Sequence, residues 1–390
     1  MRERGSWARW FGRAPERKES RAGALVALHQ TGRPVWTPRD YERLTRAGFA
    51  RNAVAYRCIR MIAESAASVP WLLFDGAYEV REHPLLDLLA KPNPADTGAS
   101  LMEQWYGYLQ ASGNAYLEAA GTGGRPRELY ALRPDRMRAV PGAGGWTHSF
   151  DYTVGGQSVR FSKGPDGFLP VLHMRLFNPL NDHYGMSPAE AAQTAIDIHN
   201  AAADWGKALL DNGARPSGAL IYKGTDAAPH LSDQQFARLK EELERQYQGP
   251  ENAGRPLVLE GGLEWQKMAL TPEELDLSGV RYAAAREIAL AFGVPPLLLG
   301  IPGDATYNNY REANLAFWRQ TALPLVARTA QALTNWLAPR FGSGLRISFD
   351  RDGVDALGPE REALWARVSQ ADFLTADEKR EAVGYGRLEG

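Results

Sequence analysis

Apolar residues recur at Ala55, Cys58, Ile59, Ile62 and Ala66 within RNAVAYRCIRMIAESAAS (51–68). Steps of three and four put them on one helical face. VPWLLF (69–74) predicts a strand, and HPLLDLLA (83–90) a short helix stopped by KPNP. Ser100 and Glu103 have the spacing of a capping box, which predicts a helix from Ser100 to about Ser112 with Gly113 as its stop. From Asn114 to Phe177 the period becomes two. NAYLEAA, RELYALR, MRAV, FDYTV, SVRFS and VLHMRLF are predicted strands, several divided by the turns GTGG, PGAGG and Gly155-Gly156.

Helix starts punctuate the middle of the chain. Ser187, Pro188 and Glu190 supply an N-cap, a proline at the first helical position and a glutamate at the third. The helix they open is expected to reach Asn212, with Gly213 beyond it. It is rich in alanine, which lets neighbouring helices approach closely. GALIY (218–222) reads as a strand, and Ser232 with Gln235 caps a charged helix, DQQFARLKEELERQYQ. RPLVLEGG and LEWQKM return as strands, so 217–270 reads as a β-α-β-β module. Thr271 and Glu274 form another capping box, predicting a helix to about Phe292.

Gly293-Val294-Pro295-Pro296 ends that helix, because proline lacks the amide donor and restricts its predecessor. Gly300, Pro302 and Gly303 turn the chain. Asp304, Thr306, Tyr307, Asn308 and Asn309 are polar, with one formal charge among them. From Tyr310 an apolar helical pattern resumes to Leu337, and Pro324 within it is expected to kink the helix. LRISFD (345–350) reads as a strand, followed by a helical tail with a capping box at Thr375 and Glu378.

The composition is that of an ordinary folded chain, 44% hydrophobic and 23% charged over 390 residues, enough for several domains. Net charge is −1, which argues against a protein built to grip nucleic acid but not against one that lets it pass. Cys58 is the one cysteine, so an internal disulfide framework is excluded, and a reducing interior is expected. No apolar run has the length of a membrane span. Residues 1–50 include a basic arm without the apolar core of a signal peptide, read as a solvated tail, with contact to a particle wall or nucleic acid as the functional alternative.

The usual catalytic patterns are absent. Gly206-Lys207 lacks the remainder of a phosphate-binding loop, and neither G-x-S-x-G nor H-E-x-x-H occurs. The seven histidines are scattered, so His173 and His199 are read as structural rather than metal ligands. Asp350, Asp352 and Asp355 lack the spacing of a calcium loop and are read as a strand-end turn. Trp205, Trp265, Phe317 and Trp318 are read as buried packing rather than a base-stacking surface. No catalytic residue, cofactor or metal is expected.

In order, AVAYRCIRMIAESAASVPWLLF, HPLLDLLAKPNP, GNAYLEAA, ELYALRPDRM, YGMSPAEAA, NGARPSGAL, NAGRPLVLEGGLEWQKM and REIALAFGVPPLLLG resemble the portal proteins of tailed bacteriophages and related gene transfer agents. The resemblance spans about Asn52 to Leu337. It implies a multidomain α+β fold: an α/β wing, a helical stem, a small α/β clip and a short helical crown, assembled as a cyclic ring, usually of twelve. It places the wing at 51–186, the first stem helix at 187–216, the clip at 217–270, the second stem helix at 271–299, a tunnel loop at 300–310, a kinked wing helix at 311–344 and the crown at 345–390.

The same resemblance implies a channel for packaging and exit of double-stranded DNA at one capsid vertex of a virion or virus-like particle, assembled in a bacterial cytoplasm. It implies partners in the terminase large subunit, the head-tail adaptor and the major capsid protein. Asp304, Thr306, Tyr307, Asn308, Asn309 and Tyr310 are the expected tunnel-loop residues. Arg238, Glu241, Glu242, Glu244 and Arg245, on the charged helix with Lys240, are the expected docking surface. The alternatives are another head-tail connector or minor capsid protein, against which length and the helix-clip-helix order count, and a metal-dependent nuclease, which needs a carboxylate cluster.

Overall fold

The computed structural model describes residues 41, 45–121, 124–142, 147–211, 218–223, 231–247, 263–267, 276–303 and 306–386. Helix α1, Ala53–Ala67, starts where the sequence pattern places it. Asn52 caps it, its Oδ1 accepting from the amides of Val54 and Ala55. Its buried face comprises Ala55, Cys58, Ile59, Ile62, Ala63 and Ala66. Strands β1 (Trp71–Asp75) and β2 (Tyr78–Val80) follow as a hairpin. Helix α2 is Pro84–Ala90, capped by the His83 imidazole.

Helix α3, Gly98–Ser112, begins before the expected Ser100. Thr97 is its cap, accepting from the Ser100 amide at 3.2 Å. The Ser100 hydroxyl is engaged by Asp96 and the Glu103 carboxylate by Arg60 of α1, so neither closes a capping box. Gly113 stops the helix at φ 74°, as expected of a left-handed terminator.

The period-two region forms six strands: β3 Asn114–Ala120, β4 Glu128–Leu132, β5 Met137–Pro141, β6 Thr147–Val154, β7 Gln157–Ser162 and β8 Val171–Arg175. They make two three-stranded antiparallel sheets, ordered β4-β3-β8 and β5-β6-β7. Tyr116, Leu132, Met137, Phe150 and Val171 form a small core from both sheets.

The helix expected to run unbroken from Ser187 is divided. Ser187 caps a short segment, Pro188–Ala191; the chain turns at Ala192, and α4 runs Gln193–Asp211. Its expected end at Asn212 and Gly213 lies outside the described residues. Strand β9 (Gly218–Tyr222), helix α5 (Asp233–Tyr247) and strand β10 (Leu263–Lys267) are the described part of the next module, with β9 and β10 antiparallel. The further strand expected in RPLVLEGG lies outside the described residues.

Helix α6 is Leu277–Phe292, with Asp276 at φ 42° as its cap. The expected start at Thr271 lies outside the described residues. The short Pro188–Ala191 segment packs against α3 and α6, while α4 packs along α6. Helices α7 (Tyr307–Phe317) and α8 (Leu323–Leu337) are joined by a π-helical turn, Trp318–Ala322.

Strand β11, Leu345–Phe349, pairs antiparallel with β1, Leu73 facing Ile347, to give the sheet β11-β1-β2. The residues expected to start a separate crown therefore begin as a strand of the first sheet. Ile347 is buried in the main core because its strand completes that sheet. Helices α9 (Gly358–Ser369) and α10 (Ala376–Ala382) end the described chain, and Thr375 with Glu378 forms the expected reciprocal capping box.

The main core gathers Ile62, Leu73, Trp105, Leu109, Ile288, Phe292, Leu333 and Ile347. Trp105 is fully buried, and its Nε1–H donates to the Thr329 hydroxyl at 3.2 Å, tying α3 to α8. Truncating such a side chain to alanine costs about 3–5 kcal/mol.

Candidate DNA-channel turn and docking module

The turn between α6 and α7 is anchored at its base. Gly293 stops α6 at φ 67°, and the Val294 amide returns to the Ala289 carbonyl at 2.9 Å. Pro296–Leu299 is a 3-10 turn ended by Gly300 at φ 70°. Ile301 is buried against Ala285 and Ala289 of α6. Arg286 of α6 donates to the Pro302 carbonyl, and Thr321 of the π turn donates to the Gly293 carbonyl at 2.6 Å. The chain thus leaves the protein body only after Ile301. Pro302 and Gly303 are exposed, whereas Asp304 lies outside the described residues.

The helical pattern resumes earlier than the sequence reading allowed. Thr306 is the N-cap of α7, accepting from the Asn309 amide at 3.2 Å. Tyr307, Asn308, Asn309 and Tyr310 are therefore helical, not loop. Threonine is a favoured N-cap residue, a signal the sequence reading, which took Thr306 as a polar loop residue, did not use. Asn308 and Asn309 are exposed, and Tyr310 is half exposed. Arg286 and Thr321, which hold the turn, carried no sequence signal, because each acts through a tertiary hydrogen bond.

Pro324 lies in the first turn of α8. It cannot donate to the carbonyl of residue 320. The chain meets this with the π turn just before it, where the Leu323 amide reaches back five residues to Trp318. The sequence reading expects a kink at Pro324; what the structure describes is a π turn at Trp318–Ala322, just ahead of it.

In the β9-α5-β10 module, Ser232 and Gln235 cap α5 reciprocally. Arg238, Lys240, Glu241 and Glu242 are exposed along the helix; the side chains of Glu244 and Arg245 lie outside the described residues. Phe236 is also exposed on it. Lys223 pairs with Glu264 beside the strands.

Two histidines are structural. His173 stacks on Tyr116 with ring centroids 4.3 Å apart and bonds through Nε2 to Asn114 Oδ1 at 3.0 Å. Burial, then the charge of Arg175, depress its pKa to about 3, so it stays neutral. His199 Nδ1 accepts from Asn52 at 3.2 Å, and burial, then Arg281, lower its pKa. Asn52, unremarked in the sequence, thereby links the start of α1 to α4, its amide also reaching Asn200. Phe317 is buried and Trp318 packs on the core as expected, but Trp205 is exposed on α4 with Ile198 and Leu210. The side chain of Trp265 lies outside the described residues.

Asp350 accepts from the Asp352 amide, and Asp352 from the Tyr385 hydroxyl at 2.5 Å, so this strand-end turn is used internally. Among the described residues no group of three or more His, Cys, Asp or Glu could hold a metal ion, and no helix is long and apolar enough to cross a membrane.

The family model described as "Phage portal protein" matches residues 53–384. An uncharacterized protein of Rickettsia bellii is 41% identical over 342 residues, 87% of this chain and 88% of the relative. The portal protein of Enterobacteria phage HK97 is 25% identical over 350 residues, covering 87% and 80% of the two chains. A solved chain from the neck of an empty gene transfer agent particle, computed with C6 symmetry, is 49% identical with a TM-score of 0.70. The match covers 93% of this chain and 98% of that one. A chain from the neck of the native particle, computed with C12 symmetry, is likewise 49% identical, with a TM-score of 0.68 over 94% and 99%. With the family match running from the first residue of α1 to beyond α10, the chain belongs to the phage portal protein family.

Proposed function

We propose that this chain is the portal of a capsid vertex: a ring, with twelve copies as the expected number, through which double-stranded DNA enters and leaves. The observation that carries the reading is the 49% identity, over 94% of the chain, to a protein in a gene transfer agent neck computed with C12 symmetry. The same likeness favours a gene transfer agent particle over an infectious phage. The role is structural and non-catalytic, with assembly in the bacterial cytoplasm and residence in the particle.

Within that ring α4 and α6 form the stem, the 217–270 module is the clip, and the turn after Ile301 faces the bore. The clip docks the terminase large subunit during filling and the head-tail adaptor afterwards, while the wing meets the major capsid protein. A turn with one formal charge suits passage, since each ionic contact with phosphate releases counterions and slows release. Proline and glycine at its exposed start present backbone rather than long cationic side chains.

Electron microscopy of the purified chain and of particles tests this. Top views should show rings with an axial hole wider than B-form DNA, about 20 Å across, whose major groove alone spans about 12 Å. A monomer at every concentration, with no ring in particles, overturns it. Sequencing the encapsidated DNA separates the particle classes: host fragments mark a gene transfer agent, a single recurrent genome a phage.

A further inference from the structure

The segment between β8 and the Pro188–Ala191 helix exposes two large apolar side chains, Phe177 at 83% and Leu180 at 87%. They flank Pro179 on a turn held from several sides. The Leu176 amide donates to the Gly113 carbonyl at 2.8 Å, and the Leu180 amide to Asn178 Oδ1 at 2.9 Å. Asn181 Oδ1 accepts from the amides of His183 and Tyr184, and Asn114 Oδ1 from the Gly185 amide at 2.8 Å. The Tyr184 hydroxyl accepts from the Ala139 amide at 2.8 Å. The tip is therefore presented on a fixed frame, and seating it against a partner loses little further conformational entropy.

A complementary feature lies at the other end of α3. A cavity of about 400 Å³ opens among Val69, Pro70, Trp71, Leu86, Leu89 and Ala99. Its volume falls within the roughly 300–1,000 Å³ of sites that enclose a small ligand, room for more than one apolar side chain. The turn adjoins Gly113, which ends α3, while the cavity adjoins Gly98, which begins it. The helix has 15 residues, so these features stand about 22 Å apart along its axis.

We propose that Phe177 and Leu180 of one copy seat in the Val69–Trp71–Leu89 cavity of the next copy around the ring. This rests on the ring reading above. A cyclic assembly of identical chains needs heterologous contacts, in which one patch on each subunit meets a different patch on its neighbour. A projecting apolar turn and an apolar cavity at opposite ends of one helix supply such a pair. A second copy of this chain is the chosen occupant because it brings both halves in equal number, and because the 49%-identical relative sits in a neck computed with C12 symmetry.

The test is disulfide trapping in the full chain. Leu180→Cys combined with Ala99→Cys, or with Ser68→Cys, places one thiol on the turn and one at the exposed cavity mouth. Cys58 is buried, its thiol pushed up to about 12 by that burial, so it does not compete. Mild oxidation should give a ladder of covalent oligomers extending past the dimer on a non-reducing gel, which neither single variant gives. Phe177→Ala/Leu180→Ala should lower the ring fraction at least tenfold at fixed concentration, with an unchanged melting curve for the monomer. Failure of the wild-type chain to form rings overturns the ring reading itself. If wild-type rings form, the absence of a ladder, a cross-link confined to one chain, or undiminished rings from the double alanine variant each overturns this contact alone.

Discussion

The Thr321 hydroxyl donates to the Gly293 carbonyl at 2.6 Å, bridging 28 residues and fixing the end of α6 to the turn between α7 and α8. Gly293 is the left-handed stop of α6, and Thr321 lies in the π turn ahead of Pro324. The two helix interruptions that flank the polar turn are thus one joined base. Thr321→Val keeps the side-chain shape and removes the donor, leaving the Gly293 carbonyl short of a partner. It should lower stability by about 1 kcal/mol in urea unfolding of the monomer, whereas Thr321→Ser should retain most of it. Gly293→Ala should cost more. Its Cβ would lie 2.8 Å from Thr321 Oγ1 in a backbone conformation disfavoured for alanine.

His173 predicts a pH dependence. Its pKa is near 3 in the folded chain, against an ordinary 6.5. Below pH 6.5 the unfolded chain takes up a proton that the folded one refuses. The contribution is therefore fully present above pH 6.5 and is lost progressively as pH falls toward 3, by up to about 1.4 kcal/mol per pH unit. His173→Gln keeps an amide donor for Asn114 Oδ1 and removes the titration. Denaturant midpoints between pH 6.5 and 4 should fall less steeply for the variant than for the wild type. Parallel slopes would assign the acid sensitivity to other groups.

The sequence reading was strongest where the pattern is local. Six strands between Asn114 and Arg175 followed from period two, the Gly113 stop from glycine's freedom, and the end of α6 at Gly293 from the prolines that follow it. It failed where two local signals compete, as at Thr97 and Ser100, because Asp96 had already engaged the Ser100 hydroxyl. It could not see β11 joining β1, since no local period encodes a pairing across the length of the chain. The candidate turn was legible as a break, but not its width. Thr306 starts α7 and Ile301 binds the near side to α6, so four of the six expected loop residues are helical.

Charge reversal on α5 examines the proposed docking surface. Glu241→Lys with Glu244→Lys changes the sign of one helix within a module whose strands are paired by β9 and β10. Glu241 is exposed, so its replacement should alter monomer stability by no more than about 0.5 kcal/mol. Ring formation should persist, while affinity for the adaptor or terminase large subunit falls at least tenfold, measured by pull-down titration at fixed salt. Unchanged binding of both partners would remove α5 from the interface.

The boundaries of the polar turn decide how its function must be tested. A deletion through Thr306 would remove the cap of α7, which costs about 1 kcal/mol, and would confuse folding with passage of DNA. Replacing 303–305 with a single glycine leaves Arg286 bonded to the Pro302 carbonyl and leaves Thr306 to cap α7. Thr306→Ala alone serves as the stability control. If the turn guides duplex DNA, the shortened variant should form rings in wild-type yield, yet fill particles or retain their DNA at least tenfold less well in a nuclease-protection assay. Normal filling and retention would make the turn a connector between α6 and α7. A loss shared by Thr306→Ala would trace instead to the start of the helix.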